Sequence, residues 1–277
     1  MEEVAEEFPR PKASQRWRKV DATRWLTLAG FFVAWQLVSM FNATYQFFNP
    51  VFLPSPTMVI GAGRDLIRAG QLHLHIIQSA FRLLVGFSLG TVGGVFLGIL
   101  IGRSRRLESV IDPLINLVGP IPPFALLPMF IIWFGIGEMP KILFIAYATF
   151  LPILASTVEG IKSVNPVLIR SAFSLGSTET QVFRRVILKS ALRNIFVGMR
   201  VSLALSFSAL VVAEMIGADA GLGYLIIDSR NFFRMANMFL AASLIGVEYT
   251  LLNLFLAKVE SRLFRWRKGG LAHAVER

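Results

Sequence analysis

The chain has 277 residues, 55% of them hydrophobic and only 16% charged, and its mean hydropathy is +0.62. Soluble domains carry about 25% charged residues, so this composition excludes an ordinary water-soluble globule and suits a chain that crosses a bilayer several times. With no cysteine, thiol nucleophiles, disulfides and thiolate metal sites are excluded, and the formal charge of +11 needs a location before it says anything about partners.

A membrane helix needs about 20 mostly apolar residues to cross roughly 30 Å of hydrocarbon. Six charge-poor stretches meet that need, which predicts an all-α integral membrane protein with six transmembrane helices. The first, about Trp25 to Phe41, follows a basic tail at 1–24. Its apolar run is longer than that of a secretory signal and no A-x-A-like site follows, so it reads as a retained helix. In the next segment Ser55 is a candidate N-cap for a short helix opening at Pro56 and ending at Gly70, with Val59, Ile60, Leu66 and Ile67 broadly on one side. Such a helix either lies on the outer membrane surface or packs on the bundle. His73 and His75 follow, two residues apart and hence divergent on a helix; with His273 they read as ordinary loop or interfacial residues, and no metal site is expected.

The second span, about Leu83 to Ile101, repeats glycine through Gly86, Gly90, Gly94, Gly98 and Gly102. This spacing puts a side-chain-free ridge on one face, suited to close helix packing or to a surface that slides. The third, about Leu114 to Phe134, contains Pro120, Pro122, Pro123 and Pro128, each of which removes a backbone donor. A straight helix is excluded through Gly119 to Pro128. Broken backbone at membrane depth survives only when buried in protein or lining a water-filled cavity, which makes Pro122, Pro123 and Pro128 candidates for a solute route, with a structural kink as the other reading. A short turn at Gly135 to Met139 leads into the fourth span, about Ile142 to Val158.

The loop at about 159–194 has its own helical grammar. Asn165 and Pro166 form an N-cap and N1 pair, Gly176 stops that helix, and Thr178 with Gln181 makes a capping box for a second short helix. Two short helices at a glycine corner make a rigid knob. The fifth and sixth spans, about Ile195 to Ile216 and Met235 to Ala257, carry the intramembrane charges Arg200, Glu214 and Glu248. Such charges face protein or water. Arg200 is near enough to one surface to snorkel, Glu214 lies toward the outer end and Glu248 is deepest.

Orientation follows from the flanks, because cytoplasmic loops carry the excess of lysine and arginine. With the amino terminus inside, the segments on the inner side hold 22 of the 28 basic residues. Both termini are then cytoplasmic, with tails at 1–24 and 259–277 around a membrane domain at 25–258. The basic residues sit in separated juxtamembrane clusters, which suits a lipid surface and not a nucleic acid.

Four stretches resemble the permease subunits of ATP-binding-cassette importers, in particular the branch for nitrate, taurine, alkanesulfonate and bicarbonate: FLPSP at 52–56, GPIPPFALLPMFIIWFGIG at 119–137, the loop Arg170 to Arg193, and VVAEMIGADAGLGYL at 211–225. The family's cytoplasmic loop has the pattern E-A-A, three residues, G, nine residues, I, one residue, L-P. Ala172, Gly176 and Leu188 hold their places, whereas Arg170 and Ser171 stand for Glu and Ala, Val186 for Ile and Lys189 for Pro. The resemblance implies a type I importer permease fold and a coupling loop that docks on a separate ATPase, drawing on Arg170, Ser171, Ala172, Leu175, Gly176, Ser177, Thr178, Phe183, Arg184 and Arg185. It also implies a second permease copy, identical or not, an extracytoplasmic solute-binding protein docking on the outer loops, and a place in a bacterial inner membrane. The pathway candidates are Pro122, Pro123, Pro128 and Glu214. ATP and magnesium would belong to the partner, since no GxxxxGK[ST] phosphate cradle occurs here, and no catalytic residue or cofactor of this chain is expected. The main rival is a proton-coupled secondary transporter using Glu214 or Glu248.

Overall fold

A computed structural model describes residues 13–264, with side chains from Trp25 onward. The outermost parts of both expected tails, with His273, lie outside the described residues. The described chain is helical throughout: α1 (Ala13–Tyr45), α2 (Pro56–Arg68), α3 (Leu72–Arg103), α4 (Arg105–Val118), α5 (Pro123–Phe134), α6 (Glu138–Lys162), α7 (Pro166–Ser174), α8 (Glu179–Val182), α9 (Leu188–Gly217), α10 (Leu222–Asn231) and α11 (Met235–Leu263). Five helical stretches are long and apolar enough to cross a membrane, and the pair α4 and α5 makes a sixth crossing if taken together.

The core is a sheaf of three long helices, α3 against α6 and α6 against α9. The glycine ridge explains the closeness of the first pair. A Cβ at Gly90 would sit 2.4 Å from the Ala146 carbonyl oxygen, and one at Gly98 would sit 2.6 Å from Thr157 Cβ, so only hydrogen fits along the seam. On the other side of α6, Thr149 Oγ1 meets Ser206 Oγ of α9 at 2.6 Å, joining the buried helices by a hydroxyl pair. Leu83, Phe144, Ile145, Leu203 and Leu210 fill the apolar interior around them. α11 closes this core through Leu256 and packs Leu240 over Gly63 of α2. On α2, Val59 and Gly63 are buried while Ile60 and Ile67 are each 64% exposed, so the four apolar residues expected on one side divide between two.

The caps form as expected at α2, where Ser55 accepts from the Met58 N–H and Gly70 takes φ +68 beyond the helix end. Three boundaries differ from the expectation. The second span opens eleven residues earlier, at Leu72, because polar residues there are covered by neighbouring helices and need no water. The third span is two helices bent by 98°, broken at 119–122, where Pro122 and Pro123 start a new helix; Pro128 sits inside α5 and does not interrupt it. The second loop helix is not separate from the fifth span. From Glu179 it runs through one π-helical turn at Phe183–Ile187 into α9, because nothing in that stretch stops a helix.

Candidate functional site

Two polar assemblies stand at opposite ends of the sheaf. The first lies where α6 begins and α9 ends, and it grows from the same stripe of α3 that carries the glycines. Read backward from Gly86, that stripe is Arg82, Ser79 and His75, all buried. Arg82, 1% exposed, donates through Nε and Nη2 to Glu138 at 2.5 and 2.8 Å, and through Nη1 to Glu214 at 2.7 Å and to the Ala220 carbonyl at 2.5 Å. Glu214, with no exposure, also accepts from Ser79 Oγ at 2.9 Å and from the Gly223 N–H at 2.8 Å. Lys141 adds a second cation, 3.0 Å from Glu138.

The same side chains hold the start of α10. Its free N–H groups need acceptors. His75 Nδ1 takes the Gly221 N–H at 3.1 Å, Ser79 Oγ takes that of Leu222 at 2.8 Å, and Glu214 takes that of Gly223. A carboxylate at a helix N-terminus also complements the helix dipole. Gly221 is required twice over, by φ +131 and by the Glu214 carboxyl group, which lies 2.4 Å from where its Cβ would be. Glu214 therefore sits inside a closed ion network. His75, expected as a loop or interfacial residue, is buried and stacks on Tyr224. Arg82, His75, Ser79, Glu138 and Lys141 were not among the expected site residues.

The second assembly is the loop. Asn165 Oδ1 caps the Val167 N–H at 2.9 Å, and Thr178 and Gln181 form the reciprocal capping box. Between them Gly176 turns at φ +78, with the Ser177 N–H reaching back to the Ala172 carbonyl at 3.1 Å, a Schellman-type stop. Leu175 is thereby thrust outward, 86% exposed, beside Val167 at 58%. Arg170, Ser171, Arg184 and Arg185 are exposed, and Ala172, Ser177 and Phe183 are half-buried. The loop is tied to its neighbours by Arg103, whose guanidinium lies 5.2 Å from the centre of the Phe183 ring, and by the Lys162–Glu108 ion pair, which joins the end of α6 to α4.

The remaining candidates are placed separately. Pro122 and Pro128 are exposed and Pro123 is half-buried. Arg200 pairs with Glu260 at 2.5 Å. Both carboxylate oxygens of Glu248 are buried with no hydrogen-bond partner among the described residues.

The chain belongs to the family of binding-protein-dependent transport system inner membrane components, which matches residues 94–265. It is similar to the taurine transport system permease protein TauC of Escherichia coli (strain K12), 37% identical with 87% of this chain and 88% of that protein covered. It is also similar to the putative aliphatic sulfonates transport permease protein SsuC of Bacillus subtilis (strain 168), at 35% with 84% and 83% covered. Among solved structures, the inward-facing MetNI methionine ABC transporter contains a chain of the same fold, with TM-score 0.60 at 18% identity over 68% of this chain and 94% of that one. The protein is a multi-pass permease subunit of an ABC importer. It is a transport component and not an enzyme, and ATP hydrolysis belongs to a separate subunit.

Proposed function

We propose that this permease carries a small sulfonate of the alkanesulfonate or taurine type, received from an extracytoplasmic binding protein, and that it works beside a second permease copy. Support for the solute class comes from the relatives' names and from their coverage of nearly the whole chain. The observation that carries the coupling role is the loop, a rigidly capped corner that projects an unpartnered leucine. Apolar side chains on a fixed turn, with Arg170 beside them and the exposed Arg184 and Arg185 on the following helical turn, suit insertion into a partner's groove. The motion of an ATPase pair on binding ATP would enter the membrane here. Phe183 against Arg103 and Glu108 against Lys162 give that motion a route to α3 and to the bent pair. The excess of basic residues in the flanks supports a cytoplasmic position for this loop and both termini, with the opposite end, carrying α2 and α10, turned toward the binding protein.

The chain has no cysteine, so Leu175→Cys gives a unique label. Cross-linking from that position should capture the ATPase co-expressed with it. Gly176→Val, strained at positive φ, should abolish both the cross-link and ATP-driven uptake while the protein still inserts in the membrane. Normal assembly and unchanged uptake in Gly176→Val would overturn the assignment.

A further inference from the structure

At the end of the sheaf remote from the loop, α5, α6 and α9 line a pocket of about 260 Å³ whose rim carries the exposed Ile136 and Ile216. Leu127 and Ile131 of α5, Pro140 of α6, and Ala213 and Gly217 of α9 give it apolar walls, and Lys141 also lines it. This lysine is 4% exposed. An ammonium group carries three donors. Lys141 spends one on Glu138, and the other two have no acceptor among the described residues. Its carboxylate partner, Glu138, is half-exposed and already engaged through both oxygens by Arg82, while the buried acid, Glu214, is taken by Arg82, Ser79 and the start of α10. A buried cation thus faces an apolar cavity with spare donors and only a shared counter-charge. Buried charges of this kind are costly unless further hydrogen bonds satisfy them.

We propose that this cavity receives the anionic head of the solute in transit, with Lys141 donating to two sulfonate oxygens and Leu127, Ile131 and Ala213 covering a short alkyl stem. The inference rests on the sulfonate reading above and deepens it by naming the group that recognises the charge. Charge-assisted hydrogen bonds in an apolar pocket are strong, and a sulfonate offers three oxygens to the two spare donors. The volume lies below that of drug-sized ligand pockets, so the site favours short chains. Gly217 sets its width. A Cβ there meets only Ile131 Cδ1, at 3.8 Å, so there is room to add a side chain that narrows the cavity.

The test uses the full complex of permease, ATPase and saturating loaded binding protein in liposomes, with uptake measured for taurine and for alkanesulfonates of increasing chain length. Gly217→Val should shift the uptake profile toward shorter chains, although the binding protein's own affinities are unchanged. Lys141→Met should lower sulfonate turnover about tenfold or more, the scale for losing hydrogen bonds to a charged group, and Lys141→Arg should restore part of it. An unaltered chain-length profile in Gly217→Val overturns the proposal, and that arm decides alone if the Lys141 variants fail to assemble. If the unmodified complex hydrolyses ATP for a different loaded binding protein but moves no sulfonate, the sulfonate reading itself has failed, an outcome distinct from an unaltered profile.

Discussion

Replacing Arg82 by methionine and Glu214 by glutamine should not cost the same stability, although the two residues form one ion pair. Without Arg82, Glu214 keeps Ser79 Oγ and the Gly223 N–H but remains a carboxylate with no exposure and no cation bonded to it. Stranding one partner of a buried pair costs about 3–5 kcal/mol. In Glu214→Gln, by contrast, Arg82 retains both bonds to Glu138 and the Ala220 carbonyl, and the new amide oxygen still accepts from Gly223. That change weakens hydrogen bonds and leaves Arg82 still paired with Glu138, which it then shares with Lys141, a cost nearer ~1–3 kcal/mol. Arg82→Met should therefore be the less stable by about 2 kcal/mol, roughly a thirtyfold difference in the folding equilibrium. Unfolding of the purified protein in mixed dodecylmaltoside and SDS micelles, followed by tryptophan fluorescence, measures it. The double variant Arg82→Met/Glu214→Met should recover stability relative to Arg82→Met alone, since the uncompensated carboxylate is gone. Equal costs for the two single variants, or a greater cost for Glu214→Gln, would refute the view that Arg82 neutralises a buried acid.

The glycine seam gives a second ranking: Gly90→Ala must push α3 from α6 and should cost about 1–3 kcal/mol, whereas Gly246→Ala, with nothing within 4 Å of its Cβ, should be neutral or stabilising in the same unfolding assay. Gly221→Ala should be among the most damaging single-methyl additions, because it combines a positive φ with a clash against the Glu214 carboxyl; loss of protection of the α10 amides in hydrogen exchange would report it. Asn165→Ala and Thr178→Ala each remove a cap from the loop at about 1 kcal/mol, and together should loosen it enough to raise proteolysis between Asn165 and Gln181 without altering the span helices.

Much of the fold was legible because the relevant signals are local. The apolar stretches, the Ser55 and Asn165 caps, the Gly176 stop and the Thr178 capping box each depend on a few adjacent residues, and each forms as the spacing implies. The polar assembly at Arg82 was not legible in that way. His75, Ser79, Arg82, Glu138 and Glu214 are scattered over 140 residues, and their meeting is a consequence of how α3, α6 and α9 pack. One signal was present: the glycine stripe, followed backward at helical spacings of four, three and four residues, passes through Arg82, Ser79 and His75, so a face suited to close packing carried polar groups that needed partners. The length of α3 was missed for the same reason, since an arginine looks like a helix's wet end until its carboxylates are found. The join between α8 and α9 was missed because a capping box marks where a helix starts and says nothing of how far it runs.

The most direct test of the central claim is uptake of a radiolabelled sulfonate into liposomes holding this permease with its co-purified ATPase, with loaded binding protein outside and ATP inside. The account predicts uptake that needs ATP hydrolysis, survives a proton uncoupler and is lost in Gly176→Val. Uptake that proceeds without ATP, collapses with the proton gradient and is abolished by Glu248→Gln would contradict it, and would give the unpartnered buried carboxylate of α11 the coupling role instead.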